Sequence, residues 1–254
     1  AGEEREFEIA KGVQMKFCWI PAGEAQLGST KTERATVLKQ LTELKILTVG
    51  EEPEWLKGEE AAEARMKFKT LGFWLGKYEV TQEQWKSVMG DDPSHFKGEK
   101  LPVERVSWDR CQDFLKKCTL TGLSLPHSDQ WEYACRGGLI TKTAFYCGES
   151  LNSTQANCEG NYPTATASNS KPQGKTMPVG SYEEHAKHPW GLCDMHGNVA
   201  EWCADKDPKQ LGQIFCGGSW SEHAVFARAA YRSAERSDRS LKNIGLRVLL
   251  PASK

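Results

Sequence analysis

The chain has 254 residues, of which 39% are hydrophobic and 26% are charged, and its formal net charge at pH 7 is −1. This composition is that of an ordinary globular protein, and the balanced charge does not favour nucleic acid or an anionic membrane as a partner. No apolar run reaches the roughly 18 residues of a transmembrane helix, and the length is within the range of one large domain.

The N-terminal third contains two predicted strands and a predicted helical insertion. VQMKFCWIPAGEAQLG at 13–28 predicts a strand, a turn at Pro21–Gly23 and a second strand. Residues 31–69 are rich in Glu, Lys, Ala and Leu, with breaks at Pro53 and Gly58. This pattern predicts two short amphipathic helices, which we interpret as an insertion at about 31–69.

A strand and three helices are predicted next. FWLGKYEV at 73–80 is typical of a strand, and Thr81 then caps a helix with Gln84 at the capping-box position. DRCQDFLKKCTLTG predicts an amphipathic helix that ends at Gly122, and SDQWEYACRGG predicts a short helix capped by Ser128 or Asp129. From 137 to 190 periodicity fades, which indicates ordered loops, and we predict a single domain over 1–254.

Cysteine usage indicates buried, reduced thiols. The count is odd, and no CxxC pair occurs, which argues against a zinc ribbon or a redox CxxC site. Free thiols favour a reducing compartment. AGEEREFEIA at the start lacks the parts of a signal peptide, yet a leader removed earlier leaves no trace. The localisation therefore stays open between the cytoplasm and the cell surface, as a processed lipoprotein or a displayed protein.

Several motifs together resemble one family. GFWLGKYEVTQEQWKSVMG, LPVERVSW, SLPHSDQWEYACRGG, GLCDMHGNVAEWCAD, GGSW and GLRV occur in the order found in the formylglycine-generating, sulfatase-modifying family. The resemblance covers residues 13 to 250 apart from the insertion. It implies an α+β, C-type-lectin-like fold with a small twisted antiparallel sheet, two main helices and many ordered loops.

Enzymes of the family hold Cu(I) with two cysteines, and soft thiolates suit that ion. Counting back from the frame Arg232 to Gly245 places the two positions on Ala224 and Ala229. A methyl group neither ligates copper nor forms a mixed disulfide with a substrate cysteine. We therefore expect no copper and no formylglycine generation.

The resemblance also implies a calcium loop at DMHGNVAEW, residues 194–202. The matching groups are the carbonyls of Gly197 and Val199 and the side chains of Asn198 and Glu201, since Ca²⁺ prefers oxygen ligands. The alternative is that Asn198 and Glu201 satisfy buried loop groups. A second calcium site of the family is expected to be lost, because Lys171 stands where its Asp would be.

Other charged groups are assigned structural roles. His196 and His127 have no nucleophile in a recognisable elbow beside them and are expected to serve as hydrogen-bonding residues. Glu132 and Arg136 have the spacing of a helical ion pair. Arg228, Arg232 and Arg247 are expected to anchor loops through their several donors.

The irregular stretch between GGSW and IGLRV is the candidate binding site. We predict that the two landmarks are strands, that Arg228, Arg232 and Arg239 hold the chain between them, and that the remaining side chains face solvent. This mixture of aromatic and polar groups suits a protein- or glycan-binding face at about 221–243. Its predicted residues are Ser221, Glu222, His223, Val225, Phe226, Tyr231, Ser233, Glu235, Arg236 and Leu241. The alternative is ordinary surface loop, with Val225 and Phe226 in the core.

The leading hypothesis is a non-catalytic binding protein. The chain resembles the variable proteins of diversity-generating retroelements. In those proteins, adenines of Asn codons between the GGSW and GFRV-like landmarks are randomised. Glu222, Glu235 and Lys242 cannot come from an Asn codon and would need other adenine-containing codons. The alternatives are an oxidase of the formylglycine-generating type that acts on a protein cysteine, or a regulatory appendage of a kinase. The oligomeric state is not predicted.

Overall fold

A computed structural model describes residues 1–57, 66–138, 143–160, 170–207, 209 and 212–252. One four-stranded antiparallel sheet joins the N-terminal part to the C-terminus. Its strands are β1 (Glu4–Ala10), β2 (Val13–Ala25), β3 (Phe68–Gly76) and β8 (Leu249–Pro251), in the order β1-β2-β3-β8. In the register of β2 with β3, Trp19 pairs with Trp74, and β8 then pairs with β3 at Phe73–Leu75.

The turn predicted at Pro21–Gly23 is wrong, because β2 continues through it. The hydrogen bonds of the N-terminal segment with β2 end at Trp19, so at Pro21 the strand pairs with β3 alone, through Gly72. A proline is tolerated where one edge of a strand has no partner. The strand predicted at 73–80 begins earlier, at Phe68, and ends at Gly76.

A second sheet holds the candidate site. Its strands are β4 (Ala200–Asp207), β5 (Gly212–Cys216), β6 (Arg232–Glu235) and β7 (Ile244–Gly245), in the order β6-β5-β4-β7. β4 is antiparallel to β5 and parallel to β7, and β6 is antiparallel to β5. β6 therefore lies at one edge of the sheet.

The prediction that GGSW is a strand is wrong. β5 ends at Cys216, and Gly217 and Gly218 both have positive φ, +97° and +67°. A Cβ on Gly218 would lie 2.8 Å from Ala227 Cα, so the chain turns here where only glycine fits. IGLRV is divided between β7 and the residues before β8, and Arg247 lies between them.

Of the two helices predicted in the insertion, the first is confirmed and the second is present among the described residues only as a single turn, while Phe68 and Lys69 at the predicted end belong to β3. The two helices are α1 (Lys31–Glu43) and α2 (Glu54–Lys57), and residues 58–65 of the predicted insertion lie outside the described residues. Thr30 caps α1 by accepting the Glu33 N–H. Val37, Leu41 and Leu56 form an apolar cluster with Val225 of the C-terminal segment. The insertion therefore packs onto the segment that carries the candidate site.

Three further helices agree with the predictions except at their ends. They are α3 (Gln82–Met89), with the predicted Thr81–Gln84 capping box, α4 (Trp108–Lys117) and α5 (Ser128–Cys135). α4 ends before Gly122, because Cys118 leaves the helical conformation. His127 occupies the N-cap position of α5, since Ser128 instead donates to Asp205 Oδ2 at 2.6 Å.

The core lies on the two sheets and beneath the helices. α3 and α4 meet through Trp85 and Phe114, whose rings stack with centroids 5.2 Å apart.

All nine cysteines are free, and all but the half-buried Cys147 are buried, as predicted. Among the described residues no helix combines the length and the apolar character that crossing a membrane requires. The predicted α+β fold is confirmed, with its strands divided between two sheets.

Candidate binding site on the C-terminal loop

Arg228 fixes the middle of the segment at 221–243, which we call the C-terminal segment, from the protein interior. Its side chain is buried, and Nε donates to the carbonyl of Val225 at 2.7 Å while Nη1 donates to Ser29 Oγ at 3.1 Å. Nη1 also lies 3.7 Å from the carboxylate of the buried Glu33 in α1. One guanidinium thus ties the segment to the start of the insertion.

Arg232 provides a second anchor, to α5. Its Nη2 donates to Asp129 Oδ1 at 2.7 Å and to Glu132 Oε2 at 3.3 Å. Glu132 also accepts from Arg136 Nε at 2.8 Å, which is the predicted helical ion pair. Arg239, predicted as a further anchor, is exposed, because a turn in which its N–H donates to the Arg236 carbonyl at 3.1 Å lies at the surface.

Three rings make a continuous row between these anchors. The ring centroids of His223 and Phe226 are 6.2 Å apart, and those of Phe226 and Tyr231 are 5.2 Å apart. All three side chains are partly exposed. We call His223, Phe226 and Tyr231 the aromatic row. The guanidinium carbon of Arg228 lies 6.0 Å from the Tyr231 ring centroid, so the Tyr231 end of the row contacts one of the two anchoring arginines.

The other predicted contact residues differ in exposure. Ser221 and Arg236 are exposed, whereas Glu222, Ser233, Glu235 and Leu241 are half-buried. Glu222 accepts a hydrogen bond from Ser219 Oγ at 2.9 Å, and burial raises the pKa of its carboxyl. Leu241 packs against the core cluster that contains Trp85. The polar part of the predicted face is thus mainly Ser221, Ser233, Glu235 and Arg236.

Val225 does not face solvent, so that part of the prediction is wrong. Its side chain is 1% exposed, and it packs in one cluster with Val37 and Leu41 of α1. The reason is the 3₁₀ helix at Ala224–Ala227, which turns Val225 inward while Phe226 stays at the edge. The alternative interpretation, in which Val225 belongs to the core, is correct for this residue.

The two predicted copper positions carry buried methyl groups. Ala224 and Ala229 are both 0% exposed, and the Ala229 N–H donates to the Ala144 carbonyl at 2.9 Å. Ala224 packs in a cluster with Cys158, against which Cys147 also packs. Burial raises the pKa of Cys147 to about 11 and that of Cys158 to about 12. These two thiols are therefore protonated near neutral pH.

The groups of the predicted calcium loop have protein partners. Asn198 Oδ1 accepts from Asn157 Nδ2 and from the Met177 N–H, both at 2.9 Å. Glu201 accepts from Arg247 at 2.7–3.0 Å and from Trp131 Nε1 at 2.6 Å. A carboxylate paired with a guanidinium does not fit a Ca²⁺ ligand set. The calcium prediction at Asn198, Val199 and Glu201 gains no support from these contacts and stays a prediction.

A buried network of acids, not predicted from the sequence, orders this loop. Glu79 accepts from the Val199 N–H at 3.1 Å and from Asn198 Nδ2 at 2.9 Å. Burial, together with Asp194 and Glu201 nearby, raises the pKa of Glu79. Burial also raises the pKa of Asp194 to about 6. Glu79 is far in sequence from Asp194 and Glu201, so no local spacing indicated that it joins them.

His196 is hydrogen-bonded through both ring nitrogens, as predicted. Nε2 accepts from the Tyr146 N–H at 3.1 Å, so the proton lies on Nδ1, which donates to the Ala227 carbonyl at 2.7 Å. Burial lowers its pKa to about 3, so the ring is neutral. His127 is exposed and lies 3.7 Å from Asp205. His196 therefore holds the end of the 3₁₀ helix in place.

Comparisons with known proteins agree with this architecture. The family model of the sulfatase-modifying factor enzyme 1-like domain matches residues 6–252. The chain is 31% identical over 227 residues to the chaperone protein LppX of Paenibacillus barcinonensis, covering 70% of this chain and 79% of that protein. It is 31% identical over 190 residues to the formylglycine-generating enzyme of Mus musculus, covering 66% of this chain and 49% of that enzyme. The chain thus spans about half the length of the mouse enzyme.

A solved structure extends the likeness to nearly the whole chain. Treponema denticola variable protein 1 superimposes with a TM-score of 0.69 at 20% sequence identity, covering 99% of this chain and 100% of that one. At this identity the likeness shows the fold, which the two chains share from end to end.

Proposed function

The chain belongs to the family of the sulfatase-modifying factor enzyme 1-like domain, and we propose that within it this protein is a non-catalytic binding protein. Its ligand is a protein or a glycan, and its contact surface is the face at 221–243. In this function the aromatic row contacts the ligand, and the anchored loop holds the row in place.

The aromatic row is the observation that carries the proposal. His223, Phe226 and Tyr231 are partly exposed, adjacent to one another, and held on a segment tied down by Arg228 and Arg232. Aromatic side chains provide large contact areas at a low cost in conformational entropy. A segment that is already ordered also loses less entropy when it binds.

The chemistry of the segment supports binding over catalysis. Ala224 and Ala229 offer methyl groups where the family resemblance requires thiols, and Cys147 and Cys158 nearby are protonated near neutral pH. His196 is neutral and engaged through both ring nitrogens. A relative that matches over most of its own length is named a chaperone protein, which agrees with a role in binding.

Diversification by a retroelement is the finer form of the proposal. The fold shared with a variable protein supports the scaffold that such a system needs. We expect a reverse transcriptase gene and a near-identical repeat of the 217–248 coding segment close to the gene for this chain. Sequencing of independent isolates should then show changes at adenine positions only within that segment.

A binding screen tests the function. We propose to present the purified chain to a glycan array and to a library of displayed random peptides. At least one probe should bind, and Tyr231→Ser should lower its affinity at least tenfold because the substitution shortens the aromatic row. Lys116→Ser on the exposed face of α4 is the matched control and should bind like the parent chain.

The same purified protein is used to test the enzymatic alternative. Loading with Cu(I) in the presence of a chelating competitor should leave the chain without stoichiometric copper, and a cysteine-containing sulfatase peptide should stay unoxidised. Tight one-to-one copper uptake with peptide oxidation would overturn the proposal. If Tyr231→Ser left the affinity of every bound probe unchanged, the face at 221–243 would not be the contact surface.

A further inference from the structure

An open groove of about 770 Å³ lies between residues 96–101 and residues 173–178. Its walls are joined where the Val179 N–H donates to the Lys100 carbonyl at 2.9 Å. The volume is within the range of small-ligand sites, roughly 300–1,000 Å³. The groove is outside the aromatic row and none of its residues was among the predicted contacts.

Basic side chains outnumber acidic ones in the lining of the groove. Lys97, Lys100 and Lys175 contribute three ammonium groups, against the single carboxylate of Glu99. Lys97 is paired with Asp92 at 2.8 Å, whereas no ion pair of Lys100 or Lys175 occurs within the part of the chain that the structure describes. Both side chains are exposed, so two cations remain for a ligand.

A buried hydroxyl adds a second observation. Thr176 is 1% exposed and lines the groove, and its Oγ1 has no hydrogen-bond partner among the described residues. A buried polar group without a partner costs about 1–3 kcal/mol, so a ligand that reached Oγ1 on binding would gain a hydrogen bond there. Gln173 adds an amide to the same wall.

The rest of the lining is apolar and is continuous with the C-terminal segment. Phe96, Leu101, Met177 and Pro178 line the groove. The Phe96 ring meets that of Trp220 edge-on, with centroids 5.3 Å apart, and Trp220 belongs to GGSW. The groove therefore lies beside the segment to which the proposed function assigns binding.

We propose that this groove binds an acidic saccharide, with sulfate or carboxylate groups at Lys100 and Lys175. The acceptor-rich groups of such a ligand match the ammonium groups, the amide and the free hydroxyl. Its own hydroxyl groups can donate to Glu99, and its C–H faces can contact the apolar residues. The groove shares no residue with the face at 221–243, so the inference goes beyond the proposed function and is tested separately from it.

The test titrates the whole chain with a sulfated heparin tetrasaccharide. Its chemically desulfated counterpart, inorganic sulfate and a tetraglutamate peptide are the comparison probes. We expect saturable binding of the sulfated tetrasaccharide that weakens as salt is raised. The desulfated form, sulfate ion and tetraglutamate should each bind at least tenfold more weakly.

Variants place the binding in the groove. Lys100→Ser combined with Lys175→Ser should lower the affinity for the sulfated tetrasaccharide at least tenfold, and Thr176→Val should lower it about threefold. Lys116→Ser combined with Lys117→Ser removes the same charge from α4 and should leave the affinity unchanged. Thermal unfolding midpoints establish that each variant is folded.

Each contrary result has a separate meaning. Equal losses in both lysine pairs would mean non-specific attraction, and equal binding of tetraglutamate would mean a site for acidic peptides; either result overturns the proposal, as does the absence of saturation. Tyr231→Ser should not change tetrasaccharide affinity. A ligand of the aromatic row can therefore fail to appear while the groove still binds, and the reverse also holds.

Discussion

Arg247 and Glu201 show how single residues organise this fold. Both are buried, and the guanidinium also donates to the carbonyls of Gly76, Lys77 and Cys193 at 2.8 Å. The pair thus connects β4 with the end of β3 and with the loop before 194. The sequence predicted an anchoring role for Arg247, and for Glu201 it left calcium binding and the satisfaction of buried loop groups open. The pairing depends on β4 and β7, which meet only in the fold, because Arg247 follows β7.

Glu201→Gln tests this buried ion pair. The substitution keeps an acceptor for Trp131 but leaves the Arg247 charge buried without its closest carboxylate. We expect a loss of about 3–5 kcal/mol in the free energy of unfolding, measured by urea denaturation. Asp238→Asn breaks the exposed pair with Arg236 and should leave the urea midpoint unchanged. Equal effects of the two substitutions would contradict the assignment.

Asp194→Asn tests the buried acids through pH. The folded-state pKa of Asp194 is about 6, above the value of about 3.8 for an unfolded chain, so the folded state holds this proton more tightly. The resulting stability is present below pH 4 and is lost as the pH rises towards 6. Asn keeps an acceptor for the Gly180 N–H and tolerates the positive φ of 57°.

The variant should therefore be more stable than the parent chain at pH 7.5, by about 1–3 kcal/mol, and similar to it at pH 4. Unfolding midpoints at the two pH values give this difference. Asp207→Asn, at a buried acid outside this cluster, is the control and should not reproduce the pattern. A variant that loses stability at pH 7.5 would show that the Asp194 charge is favourable.

At the scale of elements, α1 decides which part of the C-terminal segment reaches the surface. Its inward face carries Val37 and Leu41, which cover Val225, and its first turn carries Glu33, which faces Arg228. The amphipathic pattern predicted that α1 exists. It did not predict which segment packs against the apolar face. Periodicity shows which residues of a helix share a face, but it does not identify the segment that covers them.

Leu41→Ala tests the role of α1. The substitution leaves a cavity against Val225, and we expect a cost of about 2–5 kcal/mol in the free energy of unfolding. Hydrogen exchange at the Phe226 amide, which donates to the His223 carbonyl, should become faster. Lys39→Ala on the exposed face should change neither quantity. Unchanged exchange at Phe226 would mean that α1 does not support the segment.

At the scale of the whole molecule, the cysteines are part of the packing. They are distributed over both main core clusters and the cluster beneath Ala224. Burial raises the pKa of Cys18 to about 12 and that of Cys118 to about 11. The thiol is the less reactive form, so the folded protein protects its cysteines through both access and protonation.

Alkylation by iodoacetamide at pH 7.5 tests this protection. Cys147, the half-buried thiol, should be modified first, and the other eight only after unfolding. Mass spectrometry of the intact chain and of its peptides measures the order. In Cys147→Ser the early modification should disappear. Rapid labelling of two or more thiols in the folded protein would contradict the picture of a core packed with thiols.

Sequence patterns predicted the class of the fold, the amphipathic helices, the Thr81–Gln84 cap and the buried character of the cysteines. These features depend on local periodicity, on capping residues and on ordered motifs. Other features became known only from the fold: β2 runs through Pro21, GGSW is a turn, Val225 is covered, and particular acids surround Arg247. Each of these depends on which distant segment packs opposite a residue, and this packing is a property of the whole chain.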